Sequence, residues 1–284
     1  MAEPLLRAAG EPVGFAGEGS RLCPMDRSVV GLEIDGSTAL VRLNRPAVHN
    51  AVDEAVMAGL EGALDRIAAA SGVRAVILTG AGAETFSAGG DLRYLATFRT
   101  REQTRAMCER MQGILDRLSG ASWFTIAAIN GNAYGGGCEI LTACHLRVAA
   151  RGVRFQFRQG EMGLSTGWGG GLRLFGLVGR AQALRLLALG EVIEAAEALG
   201  IGLVDGVVEP EGLLPEARRW AARVAEKPEG SIRAFLELAR LAPAAADPGA
   251  RARETELFLE RWASPEFQKA LNAVLERLGS KAKA

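Results

Sequence analysis

Apolar residues along the chain follow two spacings, one typical of strands buried on both faces and one typical of helices. Nearly continuous apolar runs, each short enough for a strand, lie at residues 38–43, 74–79 and 124–129. Apolar residues at helical spacing fill residues 53–70 and 107–118 between them. This alternation of strands and helices predicts an α/β fold with a parallel core sheet.

The pattern changes near Val208, where the strand-like runs stop. Residues 215–279 predict successive amphipathic helices with breaks near prolines, whereas the first residues of the chain show little periodicity. The sequence therefore divides into three predicted parts: a flexible N-terminal extension at 1–28, an α/β core at 29–208 and a helical C-terminal domain at 209–284.

Charge and hydropathy exclude several classes of partner. The 284 residues carry 33 basic and 33 acidic side chains, so no net basic field favours nucleic acid or an anionic membrane. No apolar run approaches the roughly 20 residues of a membrane span, and no secretory signal is evident. We expect a cytoplasmic protein that binds neither nucleic acid nor membrane.

The cysteines and histidines do not predict a metal site. The chain has four cysteines without a CxxC pair and two histidines, which indicates free thiols in a reducing compartment. Glycine is abundant, at 36 residues. The fold therefore needs close backbone approaches or left-handed turns.

Three glycine-rich segments concentrate the candidate chemistry, at residues 86–91, 130–139 and 163–171. Each alone is compatible with a tight turn, and none matches a phosphate loop or a convincing dinucleotide fingerprint. A glycine run that leads from a strand into a helix exposes backbone N–H groups where the helix dipole favours negative charge. If Gly90 and Gly136 each present one N–H to the same point, a carbonyl held there gains an oxyanion hole.

The same segments resemble those of the crotonase, or enoyl-CoA hydratase/isomerase, family. Residues 86–91, Phe-Ser-Ala-Gly-Gly-Asp, are similar to its F-x-A-G-x-D motif, and residues 129–140 are similar to I-N-G-x-A-x-G-G-G-x-E-L. Further matches occur in order at 43–51, 169–174 and 196–204. Local similarity to the ethylmalonyl-CoA decarboxylase branch lies in residues 161–170.

The resemblance implies a fold, an assembly and a substrate. It implies a spiral of ββα turns with a C-terminal helical trimerisation domain, assembled as a homotrimer or homohexamer. The implied substrate is an acyl-CoA thioester, with coenzyme A as part of the substrate and no separate cofactor or metal. Carried over by position, Gly90 and Gly136 are the oxyanion donors and Glu139 is the first catalytic glutamate, while the CoA-binding candidates are Arg45, Ala88 and Asp91.

The departure from the family pattern lies at Gln159. Family hydratases place a second glutamate there, and glutamine exchanges no proton near neutral pH, so the usual pair of carboxylates is in doubt. Gln159 is a candidate for orienting water, and Glu161 is either a substitute acid or an exposed loop carboxylate. Trp168 and Tyr134 are candidates for lining the acyl pocket, with packing as the alternative for Tyr134.

Several reactions stay open at this point. One carboxylate suffices to move a proton in an enoyl thioester, or to protonate the enolate left by loss of CO₂. The leading hypothesis is an enoyl-CoA hydratase/isomerase-type enzyme with Glu139 as acid/base. The alternatives are a decarboxylase of a short alkylmalonyl-CoA and a noncatalytic CoA-binding or scaffold protein. His145 and Cys138 are interpreted as packing residues.

Overall fold

The computed structural model describes residues 28–120, 122–241 and 265. Within them, strands and helices alternate along the chain. The strands are β1 (Val30–Asp35), β2 (Thr38–Leu43), β3 (Ala75–Gly80), β4 (Thr85–Ser87), β5 (Phe124–Ile129), β6 (Asn132–Tyr134), β7 (Leu146–Ala150), β8 (Arg154–Gln156), β9 (Ile193–Glu194) and β10 (Gly206–Val208). The helices are α1 (Glu54–Ala69), α2 (Leu92–Leu95), α3 (Arg101–Gly120), α4 (Gly136–Thr142), α5 (Gly170–Ala188), α6 (Ala195–Gly200), α7 (Leu213–Ala225) and α8 (Glu229–Leu241).

The strands form two sheets. A six-stranded sheet has the order β1-β2-β3-β5-β7-β10, and only its β1–β2 pair is antiparallel. A second sheet of short strands has the order β4-β6-β8-β9. Side chains of β3 are buried along its whole length, as expected for a parallel strand covered on both faces.

Successive units of the chain repeat one arrangement. In β3-β4-α3, β5-β6-α4 and β7-β8-α5, the first strand joins the large sheet, the second joins the small sheet, and a helix follows. The glycine-rich segments 86–91 and 130–139 lie at or just after the short second strands. The repetition therefore brings these segments, which are distant in sequence, to neighbouring positions beside the small sheet.

Most predicted elements of the core are confirmed. The runs at 38–43 and 124–129 are β2 and β5 with the expected bounds, and helix α1 begins after Asp53, whose carboxylate accepts a hydrogen bond from the Val56 amide at 3.0 Å. Helices α7 and α8 lie within the part of the chain where the sequence predicts C-terminal helices. Residues 1–27 of the predicted extension, and residues 242–264 and 266–284 of the predicted C-terminal domain, lie outside the described residues. Across residues 28–241, no helix is both long and apolar enough to cross a bilayer.

Candidate active site

A cavity of about 1500 Å³ opens beside the small sheet. It lies where the turn before α1, helix α2, helix α3, the start of α4 and the loop between β8 and α5 meet. Nine of the ten residues proposed from sequence line it: Arg45, Ala88, Gly90, Asp91, Tyr134, Gly136, Glu139, Gln159 and Trp168. The structure thus gathers residues from four separate segments into one place.

Gly90 and Gly136 reach this cavity through a close contact between their two backbones. A β-carbon on Gly89, whose φ is +84°, would lie 2.5 Å from the Gly136 nitrogen, so glycine is required there. Gly90 is fixed by pairing with Val52, which donates its amide to the Gly89 carbonyl at 2.7 Å and accepts from the Asp91 amide at 2.8 Å. Neither the Gly90 nor the Gly136 nitrogen donates a hydrogen bond to any described residue, and both glycines line the cavity.

Glu139 lies in the first turn of α4, and its carboxylate is buried, with 2% of the residue exposed. Its Oε2 accepts hydrogen bonds from the Trp168 amide at 2.8 Å and the Gly170 amide at 3.0 Å. Its Oε1 accepts from the Gln159 side chain at 2.9 Å and, at the long distance of 3.4 Å, from the Gly167 amide. Both hydrogen bonds to Oε2 are short, whereas one of the two hydrogen bonds to Oε1 is long.

The environment of Glu139 alters its protonation. Burial raises the pKa of its carboxyl above the ordinary value of 4.5, against the opposing effect of the Gly170 and Trp168 amides and the Gln159 side chain. A carboxyl with a raised pKa exchanges a proton closer to neutral pH than an exposed glutamate does. The position therefore suits a general acid or base.

Gln159 stands beside Glu139, as its place in the motif predicts. Its Nε2 donates to the carboxylate, while its Oε1 is buried and finds no partner among the described residues. Rotation of the amide by half a turn would present Oε1 to Glu139 instead. Gln159 can therefore form a hydrogen bond with Glu139 whether that carboxyl is ionised or protonated, but it supplies no second carboxylate.

Trp168 covers one wall of the cavity. Its indole lies against Gly136, where a β-carbon would be 2.3 Å from the ring, and its Nε1 donates to the Met107 sulfur at 3.4 Å. Tyr134 lies on another part of the lining, with the Arg158 guanidinium 5.7 Å from its ring centroid. Both aromatic residues therefore line the same cavity as Gly90 and Gly136.

Glu161 does not lie with the other predicted site residues. Its carboxylate accepts hydrogen bonds from the Gln156 side chain at 2.8 Å and from Arg158 at 3.4 Å, and it does not line the cavity. Of the two interpretations of Glu161, the structure supports the exposed loop carboxylate. The turn at 158–163 directs Gln159 toward Glu139 and Glu161 away from it.

Two acidic residues and one basic residue form a charged cluster in the lining of the cavity. Arg45 pairs with Asp53 at 2.9 Å and with Asp91 at 3.2 Å. Asp91 also caps α2, accepting from the Arg93 amide at 3.0 Å. Burial alone would raise the pKa of Asp91, but these amide and guanidinium donors lower it instead. Arg45 and Asp91 therefore hold the Gly90 segment in place, besides facing the cavity.

The residues interpreted as packing behave as expected. His145 forms hydrogen bonds with Thr125 and Ser119, and burial lowers its pKa to about 4, so it is neutral at physiological pH. Cys138 is buried, and its thiol donates to the Ala133 carbonyl at 3.1 Å. No group of three metal-ligating side chains occurs in the part of the chain that the structure describes.

Sequence reasoning missed the backbone contribution of the 167–170 segment. The amides of Gly167, Trp168 and Gly170 all point at the Glu139 carboxylate. A β-carbon on Gly170 would lie 2.4 Å from atoms of Glu139, so this approach also requires glycine. The density of glycine at 163–171 was the available signal, but it did not identify the group that the segment binds.

Comparison with known proteins assigns this chain to a family. The family model described as enoyl-CoA hydratase/isomerase matches residues 33–283. The chain belongs to the enoyl-CoA hydratase/isomerase family. The resemblance found in the motifs is thereby confirmed.

Relatives within the family differ in the reaction that their names state. A short-chain-enoyl-CoA hydratase of Clostridium acetobutylicum is 34% identical over 89% of this chain and 97% of that protein. An ethylmalonyl-CoA decarboxylase of Gallus gallus is 31% identical over 82% of this chain and 78% of that protein. The crystal structure of an enoyl-CoA hydratase from Bacillus anthracis is 28% identical, covers 87% of this chain and 96% of that chain, and has a TM-score of 0.81. These likenesses confirm the crotonase fold and an enzyme of the acyl-CoA class.

Proposed function

We propose that this chain stabilises the enolate of an acyl-CoA thioester and moves one proton with Glu139, as an enoyl-CoA hydratase/isomerase-type enzyme. One observation supports the proposal: Glu139, Gly90 and Gly136 all line the same cavity, and neither glycine amide donates a hydrogen bond within the described residues. Donors fixed before the reaction begins are worth most where negative charge develops. The thioester oxygen would lie between the two amides.

Glu139 would act through Oε1. Oε2 has two short hydrogen bonds to backbone amides, whereas one of the two donors to Oε1 is at 3.4 Å. Taking a proton from the α-carbon of a 3-enoyl thioester leaves a dienolate, and returning that proton to the γ-carbon requires only this single group. Addition of water across a double bond benefits from a second acid or base, and Gln159 does not provide one. We therefore expect double-bond isomerisation to be faster than hydration.

Gln159 also favours a second candidate, decarboxylation of a short alkylmalonyl-CoA. Loss of CO₂ generates the enolate without a base, so the site then needs only one acid to protonate the α-carbon. The raised pKa of Glu139 suits that role. The likeness to an ethylmalonyl-CoA decarboxylase supports this candidate.

A panel of crotonyl-CoA, a 3-enoyl-CoA and ethylmalonyl-CoA separates these reactions. Conversion of the 3-enoyl to the 2-enoyl thioester supports the leading proposal, and release of CO₂ without water addition replaces it with decarboxylation. Binding of all three without turnover would indicate the noncatalytic alternative.

A Glu139→Gln variant tests the role of the carboxyl itself. The Gln oxygen can keep the two amide bonds made by Oε2, and the Gln159 amide can rotate to accept from the new NH₂ group, so the fold should tolerate the change. We expect turnover to fall by roughly 10²- to 10⁴-fold. Glu161→Gln is the matched control, since it changes a carboxyl outside the cavity. Wild-type turnover in Glu139→Gln with unchanged substrate binding would exclude Glu139 as the acid/base.

A further inference from the structure

The position of the Trp168 indole relative to the reacting groups suggests a control over substrate size. A β-carbon on Gly136 would lie 2.3 to 2.8 Å from three ring carbons, and one on Gly90 would lie 3.7 Å from a fourth. The same residue's backbone amide binds Glu139. The indole therefore borders both Gly90 and Gly136, and it belongs to the residue whose backbone amide binds the Glu139 carboxylate.

The indole is held in this place from both ends. Its Nε1 donates to the Met107 sulfur of α3 at 3.4 Å, while its benzo edge packs against Gly136. Only 5% of Trp168 is exposed. Because interiors are packed tightly, a ring fixed in this way does not move aside at low cost.

We propose that Trp168 sets the maximum length of the acyl chain, and restricts the enzyme to short acyl groups. This inference rests on the proposed function, in which the thioester oxygen binds the Gly90 and Gly136 amides. The carbons next to the carbonyl must then lie within reach of Glu139, along the face of the indole. Each further carbon meets the ring and its support from Met107, so longer chains lose contact or displace packed atoms.

Binding of saturated acyl-CoA thioesters measures this effect without turnover. Dissociation constants for acetyl-, butyryl-, hexanoyl- and octanoyl-CoA are determined by calorimetry for the wild type, Trp168→Phe and Trp168→Leu. We expect wild-type affinity to fall beyond a short chain. In Trp168→Leu the affinity should instead rise with length, by up to about fourfold for each methylene that the new space buries, with Trp168→Phe in between.

Two further variants protect the test against trivial explanations. Trp123→Phe makes the same change at a buried tryptophan that does not line the cavity, and its length profile should equal that of the wild type. Met107→Ala keeps the ring but removes its sulfur partner, which also lines the cavity, and should shift the profile in the same direction by a smaller amount. Met107→Ala keeps the inference testable if Trp168→Leu fails to fold.

The possible results separate this inference from the proposed function. If folded Trp168→Leu shows the same dependence of affinity on acyl-chain length as the wild type, the role of Trp168 is overturned, even if the wild type is an active enzyme. If Trp168→Leu does not fold, the same result in Met107→Ala overturns it. A shifted profile without turnover of the enoyl or alkylmalonyl substrates supports the role of Trp168 and contradicts the proposed function. Failure of the wild type to bind any of the four thioesters overturns both.

Discussion

Replacing Gln159 with glutamate should create the second carboxylate that the site lacks. The Gln159 Nε2 and Glu139 Oε1 atoms are 2.9 Å apart, so the new carboxyl would lie directly against the first. Two charges roughly 4 Å apart repel by about 4 kcal/mol at an effective dielectric constant of ~20. That energy corresponds to about three pKa units, so the pair should share one proton at neutral pH.

A pair of carboxyls that shares one proton contains both an acid and a base, which is what hydration requires. We expect the Gln159→Glu variant to hydrate crotonyl-CoA on the order of 10² to 10⁴ times faster than the wild type. The loss of enoyl-thioester absorbance reports the rate, and mass spectrometry identifies the hydroxyacyl product. The pH profile of kcat/KM should become bell-shaped, with apparent pKa values that belong to the pair.

Gln156→Glu is the matched control, because it makes the same chemical change three residues away on β8, outside the main cavity. Its hydration rate should equal that of the wild type. If folded Gln159→Glu binds crotonyl-CoA normally but hydrates it no faster than Gln156→Glu does, the missing second carboxylate does not limit hydration, and the interpretation of Gln159 is wrong.

Three other predictions concern Glu139 and the segments that contain Gly90 and Gly136. Since burial raises the pKa of Glu139, its contribution to stability is fully present below the unfolded value of 4.5 and is lost as the pH rises through the folded value. In urea unfolding, the wild type should therefore lose stability relative to Glu139→Gln as the pH rises through that range. A difference in unfolding free energy that stays constant with pH would contradict the pKa shift. Gly136→Ala places a β-carbon 2.3 Å from the Trp168 ring, so it should lower the free energy of unfolding by about 1–3 kcal/mol and lower kcat. The control Gly113→Ala has open space at its β-carbon and should not destabilise the fold. Asp91→Ala removes the cap of α2 and should lower the free energy of unfolding by about 0.5–2 kcal/mol and weaken acyl-CoA binding; unchanged unfolding would exclude the capping role.

The sequence predicted the parts of the fold that depend on side-chain hydrophobicity. The run at 124–129 became β5 with the expected bounds, because continuous burial demands continuous apolar residues. The small sheet left no such pattern, since its strand at 85–87 has three residues and leads into a glycine-rich turn. Strands this short are specified by pairing with β6, which a local pattern does not reveal.

In the candidate site, groups on side chains could be predicted from the sequence, whereas groups on the backbone could not. Glu139 and Gln159 were identified because side chains in a matched motif carry their own chemistry. The backbone donors to Glu139 were not, because a backbone amide has no side-chain signature and these amides lie 28 to 31 residues away in sequence. Glu161 showed the opposite problem: a suitable carboxyl two residues from Gln159 faces elsewhere, because the turn between them reverses its direction.

The two amide bonds to Oε2 give the Glu139 side chain a structural role, besides the proton transfer proposed for its Oε1. Any replacement that lacks an acceptor at that point strands the buried N–H groups of Trp168 and Gly170, and each stranded donor costs about 1–3 kcal/mol. The segment that carries the indole would then lose two hydrogen bonds to α4 at the same time as the proposed proton carrier disappears. Attempts to redesign the chemistry of this pocket at residue 139 will therefore also change its shape, unless the new side chain is glutamine.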